Sequence, residues 1–351
     1  MMMKKRRVLV VGSAEQSNGG VTSVIKLIKR MPVWASYECY WLGTQIQAGR
    51  WTKAYYSLRA YLLGLILVWR YHIVHFHTTP NKGMFVQLPI FLLALLGRKK
   101  IVVHLHVGTQ LGRALSYKFR LAHWCMRKAD RLVLLAPSFA QLLDKYWPDV
   151  KTPRTVIYNA CEDVEPLPYE MHEKTILFCA PFIPNKAADV LIRAFAKVKD
   201  KYPDWKVQFL AAGSEEAACR RLIGDLGMES QVELPGFVFG AEKANYFRKA
   251  SIYCMCSYQE GQPMVVMEAW AYGVPVVSTP VGALVDLAEE DRNLCTFPFG
   301  DSDSLAARLD RMMGDAALRQ RMSVYSQDYA RKNFSPTRIS DALDHLYQSL
   351  T

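Results

Sequence analysis

The chain has 351 residues, 51% of them apolar and 22% charged, which is room for two domains of ordinary size and a balance that excludes a disordered chain. Its net charge of +12 is unevenly spread: residues 1–160 hold 24 basic and 5 acidic side chains, residues 161–351 hold 20 and 27, and none of residues 40–128 is acidic. The first half therefore calls for an anionic partner, with nucleic acid, an anionic membrane surface and an acidic substrate as the candidates.

Residues 1–7 are basic and only four apolar residues follow, at 8–11, which predicts a strand and not a signal peptide. No apolar run reaches the roughly 18–20 residues that span a bilayer. The strand at 7–12 leads through a loop ending in Gly19-Gly20 to a helix at 21–29, an arrangement that brings backbone amides near a phosphate. The GxGxxG spacing of a dinucleotide site is absent. Helices at 51–69, 84–96, 111–128 and 138–146 alternate with strands at 73–77, 100–106 and 131–135. The helix at 51–69 has a long apolar face, with Arg59 and Arg70 on its polar side. The helix at 111–128 carries Arg113, Lys118, Arg120, Arg127 and Lys128. A link at 156–168, rich in Pro, Glu and Asp, precedes strands at 175–179, 205–211, 232–234 and 252–256 with helices between them. Closing helices fall at 302–314, 316–333 and 336–350.

The reading is an α/β chain of two Rossmann-like, doubly wound domains facing a central cleft lined by the loops after the strands. The expected division is 1–163 with a returning 335–351, and 164–334. The eight cysteines form no CxxC pair. Cys254 and Cys256 share one face of a strand and read as buried thiols in a reducing compartment.

The stretch from Glu260 through Gly273 to Ser278 carries the chemistry. A polar turn at 257–263 opens a short helix, with Pro263 suited to its first turn and Gly273 to its end. Such a helix start offers unpaired amides and a positive dipole end to a phosphate. Glu260 and Glu268 bracket it, either as surface acids on a core crossover or as ligand groups. Eight positions separate their backbones by up to ~12 Å, whereas two carboxylates serving one glycosidic bond stand about 5–9.5 Å apart. The spacing suits opposite ends of one extended ligand with a diphosphate between them, the layout of a nucleotide sugar.

Other candidates are weaker. His75-x-His77 and His104-x-His106 each share a strand face, but no third ligand accompanies either pair and no metal is expected. His77 and His106 end their strands, as substrate hydrogen-bonding groups or as structural histidines. Asp301-Ser302-Asp303 reads as a helix N-cap in place of a DxD metal site. Lys186 precedes a helix, as a phosphate partner or a surface lysine.

In this order the residues resemble the retaining glycosyltransferases of family 4, with the GT-B fold. Their signature is the E-x7-E element in an EGxPxxxxEAxAxGxPVV setting, here Glu260 and Glu268. Gly19-Gly20, His106, Asp130, Ser138, Asn159, Lys186, Gly213, Gly236, Ser257, Pro275, Gly282 and the segment at Phe334-Ser335 fall in the family's order over nearly the whole chain. The resemblance implies sugar transfer from a nucleotide donor, UDP- or GDP-linked, with retention and without a metal or cofactor. Glu268 would bind the donor ribose and Glu260 the donor sugar. The segment Gly261, Gln262, Pro263, Met264 and Val265, with Gly19 and Gly20, would hold sugar and diphosphate. Gly213 and Gly236 belong to the same donor set. Lys186 would neutralise the leaving diphosphate, and His106 completes the catalytic group with Glu260 and Lys186. Two departures stand out. Pro181 occupies the place of the family's arginine five residues before the lysine, leaving Lys243 as a compensating cation. Alanines stand at 160, 180 and 187 in place of glycines.

The resulting expectation is a cytoplasmic enzyme of cell-surface polysaccharide synthesis, peripheral on the inner membrane face, acting on a glycan or lipid-linked acceptor. Arg98-Lys99-Lys100 and the helix at 111–128 would touch anionic lipid. A catalytically silent scaffold and a sugar-nucleotide epimerase remain the alternatives. Nucleic acid is not expected as a partner, since the aromatics do not interleave with the basic residues.

Overall fold

Apolar runs bounded by Gly, Pro and polar turns become the strands of two wholly parallel sheets. The computed structural model describes residues 6–17, 19–80, 82–106 and 117–350. The first sheet contains β1 (Val8–Ser13), β2 (Tyr40–Gln45), β3 (Ile73–Thr78), β4 (Lys100–Leu105), β5 (Arg131–Leu134) and β6 (Arg154–Val156), in the spatial order β2-β1-β3-β4-β5-β6. β3 is buried along its whole length, as expected of a parallel strand covered on both faces by helices. The edge strands β2 and β6 are absent from the sequence reading. β2 is half-exposed and interrupted by Gly43, where a Cβ would stand 2.7 Å from Ala14 Cα, and β6 has three residues. Neither is long or apolar enough to print a periodic signal.

The helices of this unit are Gly20–Lys29, Pro32–Ser36, Arg50–Arg70, Lys82–Leu96, Tyr117–Lys128, Pro137–Tyr146 and Pro336–Gln348. The predicted helix start at 111 and Arg113 lie outside the described residues. The last helix comes from the far end of the chain and is fixed by polar contacts. Ser340 Oγ accepts from the Val33 amide (3.1 Å), and the Tyr37 hydroxyl donates to Asp344 Oδ1 (2.7 Å). The unit runs to Ala160, inside the expected link and three residues before the expected boundary at 163, and resumes at Phe334, one residue before the expected return. Packing explains the return point: Phe334 is fully buried and meets the Tyr158 ring edge-on at 5.4 Å.

The second unit, Cys161–Asn333, holds β7 (Glu173–Phe178), β8 (Lys206–Phe209), β9 (Val232–Glu233), β10 (Ala250–Met255), β11 (Val276–Ser278) and β12 (Leu294–Thr296), ordered β12-β11-β10-β7-β8-β9. From β7 the chain winds outward through β8 and β9, then crosses back to lay β10 on the other side of β7. Phe178, Phe182, Phe195, Trp205 and Phe209 fill the core. Cys254 and Cys256 lie there side by side, their sulfurs 3.8 Å apart. Arg319 is buried over the Trp205 ring and donates to the carbonyls of Met312 and Met313, at the end of helix Ser302–Gly314. That satisfies last-turn carbonyls that would otherwise lack donors.

Asp301 caps the start of the same helix. Its carboxylate accepts from the amides of Asp303 (3.0 Å) and Ser304 (2.9 Å). Asp301→Ala should therefore lower the stability of the second unit, read as a shift of its urea midpoint to lower concentration.

Candidate functional site

In an open parallel sheet, ligands bind beyond the carboxyl ends of the two strands where the strand order reverses, because the loops there part to opposite sides. In the second unit those strands are β7 and β10. The loop after β7 carries Pro181 and Lys186; the loop after β10 carries Glu260, Gly261 and Gln262 and ends in helix Met264–Ala271. Asn185 joins the two loops. Its carbonyl accepts from the Tyr258 amide (2.8 Å) and its Nδ2 donates to the Gln259 carbonyl (3.0 Å). Sequence reading assigned Asn185 no role, because its partners lie 73 and 74 residues away and no local spacing reports them.

Two glycines fix the loops by close approach. A Cβ on Gly282 would stand 2.1 Å from the Gly261 carbonyl and 2.7 Å from that of Glu260, and its φ of +60° suits glycine. The neighbouring Ala283 amide donates to the Gly261 carbonyl (2.7 Å). A Cβ on Gly213 would meet the Phe182 carbonyl at 2.3 Å, so Gly213 braces the loop after β7. Gly236 has a φ of +83°, which suits glycine, and nothing lies within 4 Å of a Cβ built on it.

Both glutamates are ion-paired, each to its own lysine. Lys186 Nζ bonds Glu260 Oε1, with only 18% and 14% of the two side chains exposed. Lys243 Nζ lies 2.5 Å from Glu268 Oε2. Burial pushes the Glu268 carboxyl above its ordinary value against the pull of Lys243. Burial also works to lower Lys243, but the Glu268 carboxylate beside it carries the amine upward, so the lysine stays charged. Between the two pairs lies the N-terminus of helix Met264–Ala271, which no side chain caps. Pro263 is the N-cap residue itself, one place before the expected first turn, and its carbonyl accepts from the Val266 amide (3.1 Å). Gln262 turns its side chain inward, Nε2 to Met267 Sδ (2.8 Å). The candidate site thus has two ion-paired acids and, between them in sequence, a helix start that no side chain caps.

In the first unit Gly19 precedes helix Gly20–Lys29, again without a side-chain cap, and nothing lies within 4 Å of a Cβ built on Gly20. Asn18 lies outside the described residues. The parallel register pairs His77 with His104, so His75, His77, His104 and His106 form one ladder. Ring centroids are 4.4 Å apart for His75 and His77, 4.7 Å for His77 and His104, and 4.5 Å for His104 and His106. The sequence argument that each pair lacks a third histidine fails here, because sheet pairing sets the two pairs side by side. Nitrogens of His75, His77 and His104 lie within 4.8 Å of one another, against at most ~4.2 Å for two nitrogens bonded to one zinc-sized ion. His77 Nδ1 meets His106 Nε2 at 3.0 Å, and His75 Nδ1 meets the Tyr347 hydroxyl at 2.7 Å. His106 is 8% exposed, and residues 107–116 beside it lie outside the described ones.

Burial drives all four imidazoles down, His75 and His106 to about 3 and His77 and His104 well below 6.5. They are neutral in the folded chain, so below about pH 6.5 the unfolded chain binds more protons. Stability should hold above that pH and fall as pH drops toward 3, by up to about 1.4 kcal/mol per pH unit for each histidine. Urea titrations of the wild type between pH 7 and about 4.5 should show this slope. His104→Leu should flatten it, and a wild-type midpoint constant across the window contradicts it.

Residues 173–315 match the family model described as glycosyl transferases group 1. Over 166 residues the chain is 30% identical to an uncharacterized glycosyltransferase of Haemophilus influenzae, covering 46% of each. It is 25% identical over 248 residues to the lipopolysaccharide core biosynthesis glycosyltransferase LpsE of Rhizobium meliloti, covering 68% of this chain and 70% of LpsE. The chain thus spans under half the length of the first of these relatives. The crystal structure of Anabaena HepE in complex with UDP-glucose has a TM-score of 0.81 at 16% identity, over 98% of this chain and 99% of HepE. Two six-stranded parallel sheets with flanking helices are the GT-B arrangement of such glycosyltransferases. The chain has the GT-B fold, and residues 173–315 of its second unit are similar to the group 1 glycosyl transferases.

Proposed function

We propose that the protein is a retaining glycosyltransferase that moves a sugar from a UDP- or GDP-linked donor to a glycan or lipid-linked acceptor in cell-surface polysaccharide synthesis. The observation that carries this reading is the double ion pair at the β7/β10 switch point, Lys186 with Glu260 and Lys243 with Glu268, around an uncapped helix end. Glu268 takes the ribose hydroxyls, Glu260 the sugar hydroxyls, and the amides of Met264 and Val265 face the diphosphate. The bond from the anomeric carbon to the diphosphate oxygen breaks, and the bond to the acceptor oxygen forms on the same face. The acceptor's proton goes to the leaving phosphate. Lys186 neutralises the charge that develops there, a role that needs no metal. With Pro181 at the arginine position, Lys243 is the second cation available. LpsE and the group 1 model support the class of acceptor and reaction. The basic, acid-free stretch at 40–128 supports work on the cytoplasmic face of an anionic membrane, with the donor and acceptor, and not nucleic acid, as partners.

A thermal-shift series with UDP-, GDP- and ADP-sugars should single out one base. With that donor, Lys186→Ala should lower turnover by about 10²–10³, and Glu260→Ala should abolish it with the fold retained. Wild-type turnover in both variants would sink the proposal. Isomerised donor in the absence of acceptor would identify an epimerase, and an anomerically inverted product would exclude retention.

A further inference from the structure

Amphipathic helices ordinarily turn their large apolar side chains inward, and the helix Arg50–Arg70 does the reverse. Its buried positions are Ala60, Gly64 and Val68, spaced four apart. A Cβ on Gly64 would stand 3.2 Å from Ile90 Cγ1, so small residues let this helix lie close against Lys82–Leu96. The large residues Trp51, Tyr55, Leu58, Leu62, Leu65 and Trp69 recur every three or four positions and are 52–81% exposed. At about 1.5 Å per residue they form a stripe ~27 Å long. The partner helix extends it with Phe85, Leu92 and Leu96, which are 47–72% exposed. Ten of the 22 exposed large apolar side chains among the described residues fall between 51 and 96, so this is a patch and not scatter. An apolar groove of about 370 Å³ opens between the helices, lined by Tyr61, Leu62, Leu65, Pro89, Leu92 and Leu96 among others.

Charge specifies the occupant. Arg50, Lys53, Arg59 and Arg70 are exposed along the first helix, and Arg98 and Lys100 follow the second. No acidic residue occurs from 40 to 128 to repel an anionic surface. A second copy of this chain would bring the same cations against these. Tryptophans stand at both ends of the stripe, where an amphipathic ring favours the boundary between headgroups and acyl chains. No described helix is long and apolar enough to cross a membrane, so the pair would lie in the interface plane.

We propose that the helix pair Arg50–Arg70 and Lys82–Leu96 is a membrane-insertion face, seated in the interfacial layer of a leaflet containing anionic phospholipid. The inference rests on the membrane contact proposed above and changes its nature, from surface attraction by basic residues to burial of an apolar face. Insertion would hold the first unit in a fixed orientation to a lipid-linked acceptor, with the groove open to a hydrocarbon chain.

The test is flotation of the full chain with vesicles of phosphatidylcholine alone, or with about 30% phosphatidylglycerol, at about 0.1 and about 0.5 M salt. The wild type should float with the anionic vesicles and stay bound at the higher salt. Leu62→Ser with Leu65→Ser, both exposed and so compatible with folding, should lose the salt-resistant binding at least ~tenfold. Arg59→Glu with Arg70→Glu should lose the preference for phosphatidylglycerol. Brominated lipid should quench fluorescence in the wild type, and less in Trp51→Phe with Trp69→Phe. Absence of flotation, binding that salt abolishes and the leucine changes leave intact, or a dimer dissolved by those changes would each overturn the proposal. No donor is present in the assay. Failure of sugar transfer therefore leaves this result standing, and failure of flotation leaves donor binding standing.

Discussion

The parallel pairing of β7 with β10 is the constraint on which the second unit depends. These strands are far apart in sequence, yet Ile252 lies opposite Ile176 and Tyr253 opposite Leu177. Their adjacency places Lys186 beside Glu260, 74 residues further on. A parallel sheet buried on both faces leaves only its ends for polar chemistry. The strand-order reversal then opens one of those ends. Everything that distinguishes the site hangs on the two loops that leave it: the Asn185 tie, the close approaches at Gly213 and Gly282, and the uncapped helix at Met264.

The ion pairs have a second consequence, in the unliganded chain. A largely buried carboxylate beside a lysine costs little while both are present and several kcal/mol if one is removed. Glu260 and Glu268 are therefore tolerated in a mostly buried site because each carries its own cation. Under the proposed function, an incoming diphosphate would compete for those same lysines while its sugar and ribose hydroxyls would offer donors to the freed carboxylates. Such an exchange would swap one set of charge contacts for another.

Much of this was legible from residues alone. The apolar runs marked the central strands, Asp301 marked its cap, and Glu260 and Glu268 do bracket a helix start, each with a lysine beside it. What escaped depends on neighbours remote in sequence. The edge strands β2, β6 and β12 are too short or too exposed to show a period. The histidine ladder exists only because β3 pairs with β4 in the register that sets His77 against His104. The sequence predicts a long apolar face for the helix at 51–69, but a period states only that a stripe exists. The residues that turned inward were the small ones, Ala60 and Gly64, a signal available in the sequence as a four-residue spacing.

The loop after β7 holds Lys186 in place with proline at 181 and alanine at 187. Ala187 adopts φ 46° and ψ 51°, a left-handed conformation that costs a non-glycine residue roughly 1–2 kcal/mol. Such strain persists only where the surroundings over-determine it. Here the Pro184–Lys186 turn, closed by the Lys186 amide to the Ile183 carbonyl (2.9 Å), precedes it, and the Asn185 bonds to the opposite loop hold the turn in place. The left-handed residue then redirects the backbone into helix Ala188–Ala196, whose inner face is sealed in the core. Lys186 is left as the one side chain of the turn paired with Glu260. Its position is set by the Asn185 contacts to the opposite loop, so proline at 181 leaves what aims the lysine in place.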